Sequence, residues 1–362
     1  MIEAIGELLP PLLGTLDRVE WVQRRLYPSL AGQLAEELAP RAELIAGPLR
    51  ALEAVDWPDD FRSVRERLVD VARRTLDVVG AFVETSRAPG HPIDLYRVLR
   101  RFAPLQEALY PLAGLFEPVS RWFLEPSRRL DDELLARFRA LPPREDGVQV
   151  GVLHGKNERD QRGGFSVYVP EWWDGETAMP LIVALHGGHG HGRDFLWSWL
   201  REARTRGAIV LSPTSRDRTW SILSPDDVDA PPLREMLAFV SGRYPVDPRR
   251  VLLTGMSDGA TYTFLCGLRE DMPFTHLAPA CGVLHPLLLD GRLGRARDLP
   301  IYLIHGALDW MFPVQMTRMS KEFLVTAGAR LVYREIEDLS HIYPRDENPR
   351  ILDWLDGTIP PE

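Results

Sequence analysis

Hydrophobic patterning divides the chain into two textures that meet near residue 145. Through residues 1 to about 140, Leu, Val and Ile recur at three- and four-residue spacing. Charges fill the opposite face, as in FRSVRERLVDVARRTLDVVGAFVE (61–84). That period is the mark of amphipathic helices. Prolines at Pro28, Pro40, Pro48, Pro58, Pro89, Pro104, Pro111 and Pro118 predict breaks, and therefore several helices of modest length. No fixed-period repeat suggests a solenoid. From Val148 onward the period shortens. FSVYVP (165–170) alternates like a strand, whereas PLIVALHG (180–187), GAIVLSP (207–213), RVLLTG (250–255) and LPIYLIHG (299–306) are continuous apolar runs. Such runs suit strands buried on both faces of a mainly parallel sheet. Helix candidates lie between them near 194–206, 231–243, 258–270 and 313–327, and strands alternating with helices imply an α/β fold. The expected organisation is an all-helical domain over 1–145 and an α/β domain over 146–362, with LPPREDG (141–147) as linker.

Length and composition narrow the picture. A chain of 362 residues exceeds the size at which one core usually keeps growing, which agrees with two domains. Hydrophobic content of 45% with 26% charged residues describes an ordinary globular protein. A net charge of −9 argues against nucleic acid as the main partner, because phosphate binding needs concentrated positive charge. MIEAIGELLPPLLG (1–14) has no basic cluster and carries Glu3 and Glu7, so it does not read as a secretion signal. No apolar run approaches bilayer length. Two cysteines, Cys266 and Cys281, are too few for a disulfide framework and read as small buried residues of a reducing compartment. The expectation is a cytoplasmic protein without a membrane span.

Chemistry concentrates in the second half. Gly255-Met256-Ser257-Asp258-Gly259 follows a buried strand and precedes the helix candidate DGATYTFLCGL. A tight strand-to-helix turn needs small residues at both flanks, and it pushes the serine hydroxyl out above the sheet, near the positive end of the next helix. In an arbitrary sequence a plain turn would be the better reading; the strand–turn–helix context reverses that. A neutral hydroxyl is a poor nucleophile, so a base and an orienting group must accompany it. LIHGALDWMFP (303–313) places Asp309 in the loop after another buried strand, and EIEDLSHIYP (335–344) places His341 after the strand RLVYREI. The chain order is Ser257, Asp309, His341. LHGGHGHG (185–192) follows an early strand, and its glycines let backbone amides approach a substrate closely. We assign the oxyanion hole to the amides of Gly188 and Asp258.

Residues 148–355 thus resemble the α/β-hydrolase superfamily. The resemblance is to serine esterases of the phospholipase/carboxylesterase type and to the related feruloyl-esterase and polyester-depolymerase-like enzymes. The pieces that carry it are LHGG (185–188), GMSDG (255–259), HGALDWMFP (305–313) and SHIYP (340–344). The helical region 1–140 is a departure, since small carboxylesterases of this type lack it. The resemblance implies a mainly parallel sheet with flanking helices and hydrolysis of small-molecule carboxylic esters through an acyl-enzyme, without a cofactor. The same triad would serve a thioesterase or a peptidase.

A rival of another class is a metal-dependent hydrolase built on His186, His189 and His191, whose spacing suits imidazole ligation of zinc. HGHGRD (189–194), however, has its aspartate one place late for a His-x-His-x-Asp-His loop, and no histidine follows it. Trp220, in a loop after a strand, and Trp310, next to Asp309, are candidate pocket walls. Trp172 and Trp173 read as packing, and His305 as a structural histidine before the Gly306 turn. The apolar faces of the helical half predict packing against the α/β domain or self-association of two copies, ahead of a covering role over the site. A chain shortened to begin near Glu145 is expected to lose solubility or change its association state in light scattering; a monodisperse product of unchanged mass class would refute this.

Overall fold

The computed structural model describes residues 1–87, Gly90, 93–141, 147–223, 226–289 and 292–358. The break expected at Pro89, residues 142–146 of the linker and the 145/146 boundary lie outside these. The chain divides into two compact units, Met1–Leu130 and Asp131–Glu362.

The first unit is helical. Its helices are α1 (Ile2–Arg24), α2 (Ala31–Ala54), α3 (Arg62–Arg87), α4 (Ile93–Leu99), α5 (Phe102–Leu109) and α6 (Glu117–Trp122). In α3 the buried positions Leu68, Val71, Ala72, Thr75, Val78, Val79 and Phe82 form one stripe, as the 3.6-residue period requires. Pro40 and Pro48 do not break the chain: both lie inside the 24-residue α2, as Pro10 and Pro11 lie inside α1. A proline inside a helix costs about 3 kcal/mol. The same α2 face buries Leu34, Leu38, Ile45, Leu49 and Leu52, each worth roughly 1.5–3 kcal/mol. Packing therefore overrides the local preference. Arg129 reaches back to Asp17 with two hydrogen bonds of 2.9 and 3.0 Å, tying the end of the unit to its first helix.

The second unit opens with α7 (Asp132–Arg139), whose N-cap Asp131 accepts from the Leu134 amide. An eight-stranded sheet follows: β1 (Gly151–Gly155), β2 (Phe165–Val169), β3 (Met179–Leu185), β4 (Ile209–Pro213), β5 (Val246–Met256), β6 (His276–Ala280), β7 (Pro300–Gly306) and β8 (Arg330–Ile336). Their spatial order is β1-β2-β4-β3-β5-β6-β7-β8. β2 pairs antiparallel with both β1 and β4, and the remaining pairs are parallel. The helices are α8 (Gly192–Phe195), α9 (Leu200–Arg206), α10 (Ala230–Ser241), α11 (Asp258–Gly267), α12 (Val314–Thr326) and α13 (Asn348–Leu355). This is the expected α/β class, a mainly parallel sheet preceded by helices.

The differences from the sequence reading have physical causes. β1 and β6 carry no long apolar run. β6 reads His-Leu-Ala-Pro-Ala, and Pro279, opposite Gly255, cannot donate to the ladder. The helix expected over 194–206 is broken into α8, a 3-10 turn at Leu196–Ser198 and α9. Residues 196–205 are buried throughout, α9 included, so the segment is embedded in the core rather than lying on a surface with one exposed face.

Chain direction changes around β3: the chain moves to β4 on one side and β5 on the other. Ligands bind at the carboxyl ends of strands beside such a switch point. The loops after β3 and β5 meet there.

His276, on β6, packs against the edge of Trp354 at 4.9 Å. Burial, aided by Arg330, pushes its pKa down from 6.5 to about 4. An unfolded chain takes up this proton near pH 6.5, whereas the folded chain does so only near 4. Stability is therefore lost as pH falls through that window. Melting curves between pH 7 and 4 should show a smaller acid-side loss for His276→Gln than for the wild type; parallel profiles would refute the assignment.

Candidate active site

Ser257 sits at the junction of β5 and α11 with φ 58° and ψ −120°. This left-handed conformation costs a non-glycine residue about 1–3 kcal/mol. It persists because its surroundings over-determine it. The Ser257 amide donates to the Ala280 carbonyl at 3.0 Å, and the Ser257 carbonyl accepts from the amides of Ala260 and Thr261. The flanking glycines are sterically required. A Cβ on Gly255 would lie 2.5 Å from the Gly259 carbonyl oxygen, and one on Gly259 would lie 2.5 Å from those of Leu185 and His186. The elbow thus packs α11 directly onto the end of β3.

His341 and Asp309 come to this serine from loops after β8 and β7. His341 Nε2 lies 3.0 Å from Ser257 Oγ, and His341 Nδ1 lies 2.8 Å from Asp309 Oδ2. A carboxylate only accepts, so Nδ1 carries the proton and Nε2 offers its lone pair to the hydroxyl. The Asp309 side chain is fully buried. Its Oδ1 accepts from the amides of Met311 and Phe312 at 2.9 and 2.8 Å, as a buried charge demands. Phe312 presents its ring to the His341 imidazole at 5.4 Å in a T-shaped contact.

The structure brings His305 into the same cluster. Its Nε2 donates to the Phe312 carbonyl at 2.8 Å and lies 3.4 Å from Asp309 Oδ2, while its Nδ1 accepts from the Thr317 hydroxyl at 2.7 Å. Burial holds its pKa below the ordinary imidazole value, which keeps it neutral. It braces the loop that carries Asp309.

The glycine turn after β3 lies beside the elbow. A Cβ on Gly187 would sit 3.4 Å from Ser257 Cβ, and one on Gly188 would sit 2.5 Å from Asp258 Oδ2. Asp258 Oδ2 also accepts from the Thr219 hydroxyl at 2.6 Å. The Asp258 amide opens α11, where first-turn amides have no acceptor within the helix. Gly188 and Asp258 are thus adjacent at the serine.

The other sequence candidates fall elsewhere. Trp220 is buried in the core of the second unit. Its indole N–H donates to the His186 carbonyl at 2.7 Å, and its ring stacks on Tyr262 at 5.3 Å. It supports the glycine turn from behind. Trp310 is half-buried, next to Asp309. Trp172 and Trp173 donate their indole N–H groups to the carbonyls of Arg204 and Thr177.

The metal-hydrolase alternative is corrected by the allocation of ring nitrogens. His186 Nδ1 donates to the Gly187 carbonyl, and its Nε2 accepts from the Ser215 amide. His191 Nε2 donates to the Gln161 carbonyl, and its Nδ1 accepts from the Arg193 amide at the start of α8. His189 is exposed with φ 55°. These histidines hold loops in place, and no cluster of metal-ligating side chains occurs among the described residues. Alternating glycine and histidine resembles a ligand motif in sequence because spacing alone says nothing about where rings point.

Sheet order, elbow and loop placement give the second unit an arrangement like that of α/β-hydrolases. Residues 236–359 match the phospholipase/carboxylesterase family model, a span that contains Ser257, Asp309 and His341 but neither the 185–192 turn nor the helical unit. Among solved structures, a thermostable esterase is 21% identical over 57% of this chain and 62% of its own, with TM-score 0.47. Esterase PE8 is 21% identical over 55% of this chain and 99% of its own, with TM-score 0.43. The fluorophosphonate-binding serine hydrolase F of Staphylococcus aureus is 14% identical over 56% of this chain and 96% of its own, with TM-score 0.46. Among the described residues, no helix is long and apolar enough to cross a membrane.

The close approach at Gly259 carries a direct consequence. Gly259→Ala forces α11 away from β3 and should destabilise the second unit by about 1–3 kcal/mol, as overpacking does. Denaturant unfolding of the two chains measures this; an unchanged midpoint would show that the elbow tolerates a methyl group.

Proposed function

We propose that the protein is a serine hydrolase that cleaves carboxylic esters through an acyl-enzyme intermediate. The observation that carries this reading is the pair of hydrogen bonds joining Asp309, His341 and Ser257 at a strained elbow. Ser257 Oγ attacks the ester carbonyl carbon as its proton passes to His341 Nε2. The carbonyl π bond breaks, and the resulting oxyanion accepts hydrogen bonds from the amides of Gly188 and Asp258. One such preorganised donor is worth roughly 2.7–4 kcal/mol. The tetrahedral intermediate collapses, breaking the bond to the alkoxy oxygen, which leaves as the alcohol with the proton from His341. Water then repeats the sequence against the acyl-serine, and Ser257 recovers its proton. Asp309 keeps the His341 proton on Nδ1 and stabilises the imidazolium formed during each transfer. These steps use no cofactor.

Thioesters and peptides would pass through the same intermediate. The family match to phospholipases and carboxylesterases favours esters. Trp310, half-buried beside Asp309, is our candidate for a pocket wall; Trp220 acts instead by supporting the turn.

Ser257→Ala should lower kcat for p-nitrophenyl esters by several orders of magnitude, about 10⁶-fold by analogy with a serine protease, and abolish fluorophosphonate labelling. Asp309→Asn should cost on the order of 10⁴-fold, because the amide favours the wrong imidazole tautomer. The double variant Ser257→Ala/His341→Ala should be no worse than either single one, since the two groups act as a unit. Near-wild-type turnover by Ser257→Ala would end the proposal, and multiplicative losses in the double variant would exclude a shared mechanism.

A further inference from the structure

The oxyanion turn is built from residues that cannot hold a conformation by themselves. Gly187, Gly188 and Gly190 are free to adopt many backbone states, and His189 carries a left-handed φ of 55°. What holds the turn is a set of donors on its carbonyl oxygens. Trp220 Nε1 donates to the His186 carbonyl at 2.7 Å, while His186 Nδ1 and the Gly190 amide donate to that of Gly187. The Gly190 carbonyl accepts from Arg162 Nη1 at 2.7 Å.

Arg162 lies in the chain between β1 and β2, in a segment no sequence motif singles out. That segment folds back tightly. A Cβ on Gly164 would lie 1.9 Å from the Lys156 carbonyl oxygen, and the Gly164 carbonyl accepts from the Thr214 amide at 2.8 Å. The guanidinium is thereby delivered between two loops. Besides Gly190, it donates through Nε and Nη2 to the Asp217 carbonyl at 3.0 and 2.5 Å. Nη2 also donates to the Ser215 hydroxyl at 2.5 Å. The Ser215 amide in turn donates to His186 Nε2 at 3.1 Å, and the His189 amide donates to the Arg218 carbonyl at 2.8 Å. One planar fork therefore cross-links the turn after β3 to the loop after β4. Burial disfavours the charged guanidinium here, and the charges of Asp217 and Asp229 oppose that penalty. A lysine could not satisfy carbonyls in both loops with one rigid group.

We propose that Arg162 is a positioning residue of the oxyanion turn, fixing the Gly190 carbonyl against the 215–217 loop so that the Gly188 amide stays aimed at the reacting carbonyl. The inference rests on the serine-hydrolase reading. Its contribution belongs to the transition state, because the Gly188 amide matters most when charge develops on oxygen.

The test compares wild type, Arg162→Met and Arg162→Lys. Three quantities are read: kcat and KM for p-nitrophenyl acetate, inhibition by an aryl trifluoromethyl ketone whose serine adduct is an oxyanion, and thermal unfolding. Arg162→Met should lose about 10- to 100-fold in kcat, with KM within about threefold. Ketone affinity should fall by the same factor as kcat/KM, and Arg162→Lys should recover only part of either. Should Arg162→Met fail to fold, Arg162→Lys carries the same comparison. A variant folded at the assay temperature that keeps kcat and ketone affinity within about twofold, whatever its melting temperature, overturns the proposal. Failure of the serine reading would show separately, as turnover by Ser257→Ala.

Discussion

The left-handed backbone of Ser257 is the constraint on which the site depends. A serine with φ 58° at the end of a parallel strand survives only where the chain before and after it has no freedom to relax. Here β5 is held between β3 and β6, while α11 rests on the end of β3 through the bare Cα of Gly259. The strained turn presents Oγ to His341 Nε2 at 3.0 Å. One local distortion thus brings the Ser257 hydroxyl to His341 at the start of α11.

Around that junction, buried polar groups are matched donor to acceptor. Asp309 receives two backbone amides on one oxygen and the His341 ring on the other. His305 locks the same loop from beneath. On the opposite side, carbonyls of the glycine turn are capped by Trp220, His186 and Arg162. Satisfying these groups through fixed side chains lets a loop built on glycine behave as rigid structure. The junction is therefore supported by tryptophan, histidine and arginine side chains drawn from β7 and from loops.

Much of this was legible in the amino-acid order. The apolar runs at 180–187, 207–213, 250–255 and 299–306 correspond to β3, β4, β5 and β7, because a strand buried on both faces must be apolar at every position. The elbow was legible because a tight turn constrains residues 255, 257 and 259 together. β6 was not: its small residues and Pro279 acquire strand character from neighbours on either side. Pro40 and Pro48 misled in the other direction, since the packed face of α2 outweighed their local penalty.

What the sequence determined by itself is whatever depends on neighbours along the chain: the period of burial, the glycine-flanked turn, and the succession of Ser257, Asp309 and His341 after buried strands. What tertiary structure alone decided is how side chains far apart in sequence share hydrogen-bonding groups. It directed the nitrogens of His186 and His191 into loop carbonyls and amides rather than to a common point, and it buried Trp220 beneath the turn. It also placed His305 against the Asp309 loop and set Arg162 between Gly190 and Asp217. Periodicity and spacing report which residues a strand or turn can accept. The direction of a ring or a guanidinium is set by whichever unmatched donor or acceptor folding brings within about 3 Å of it.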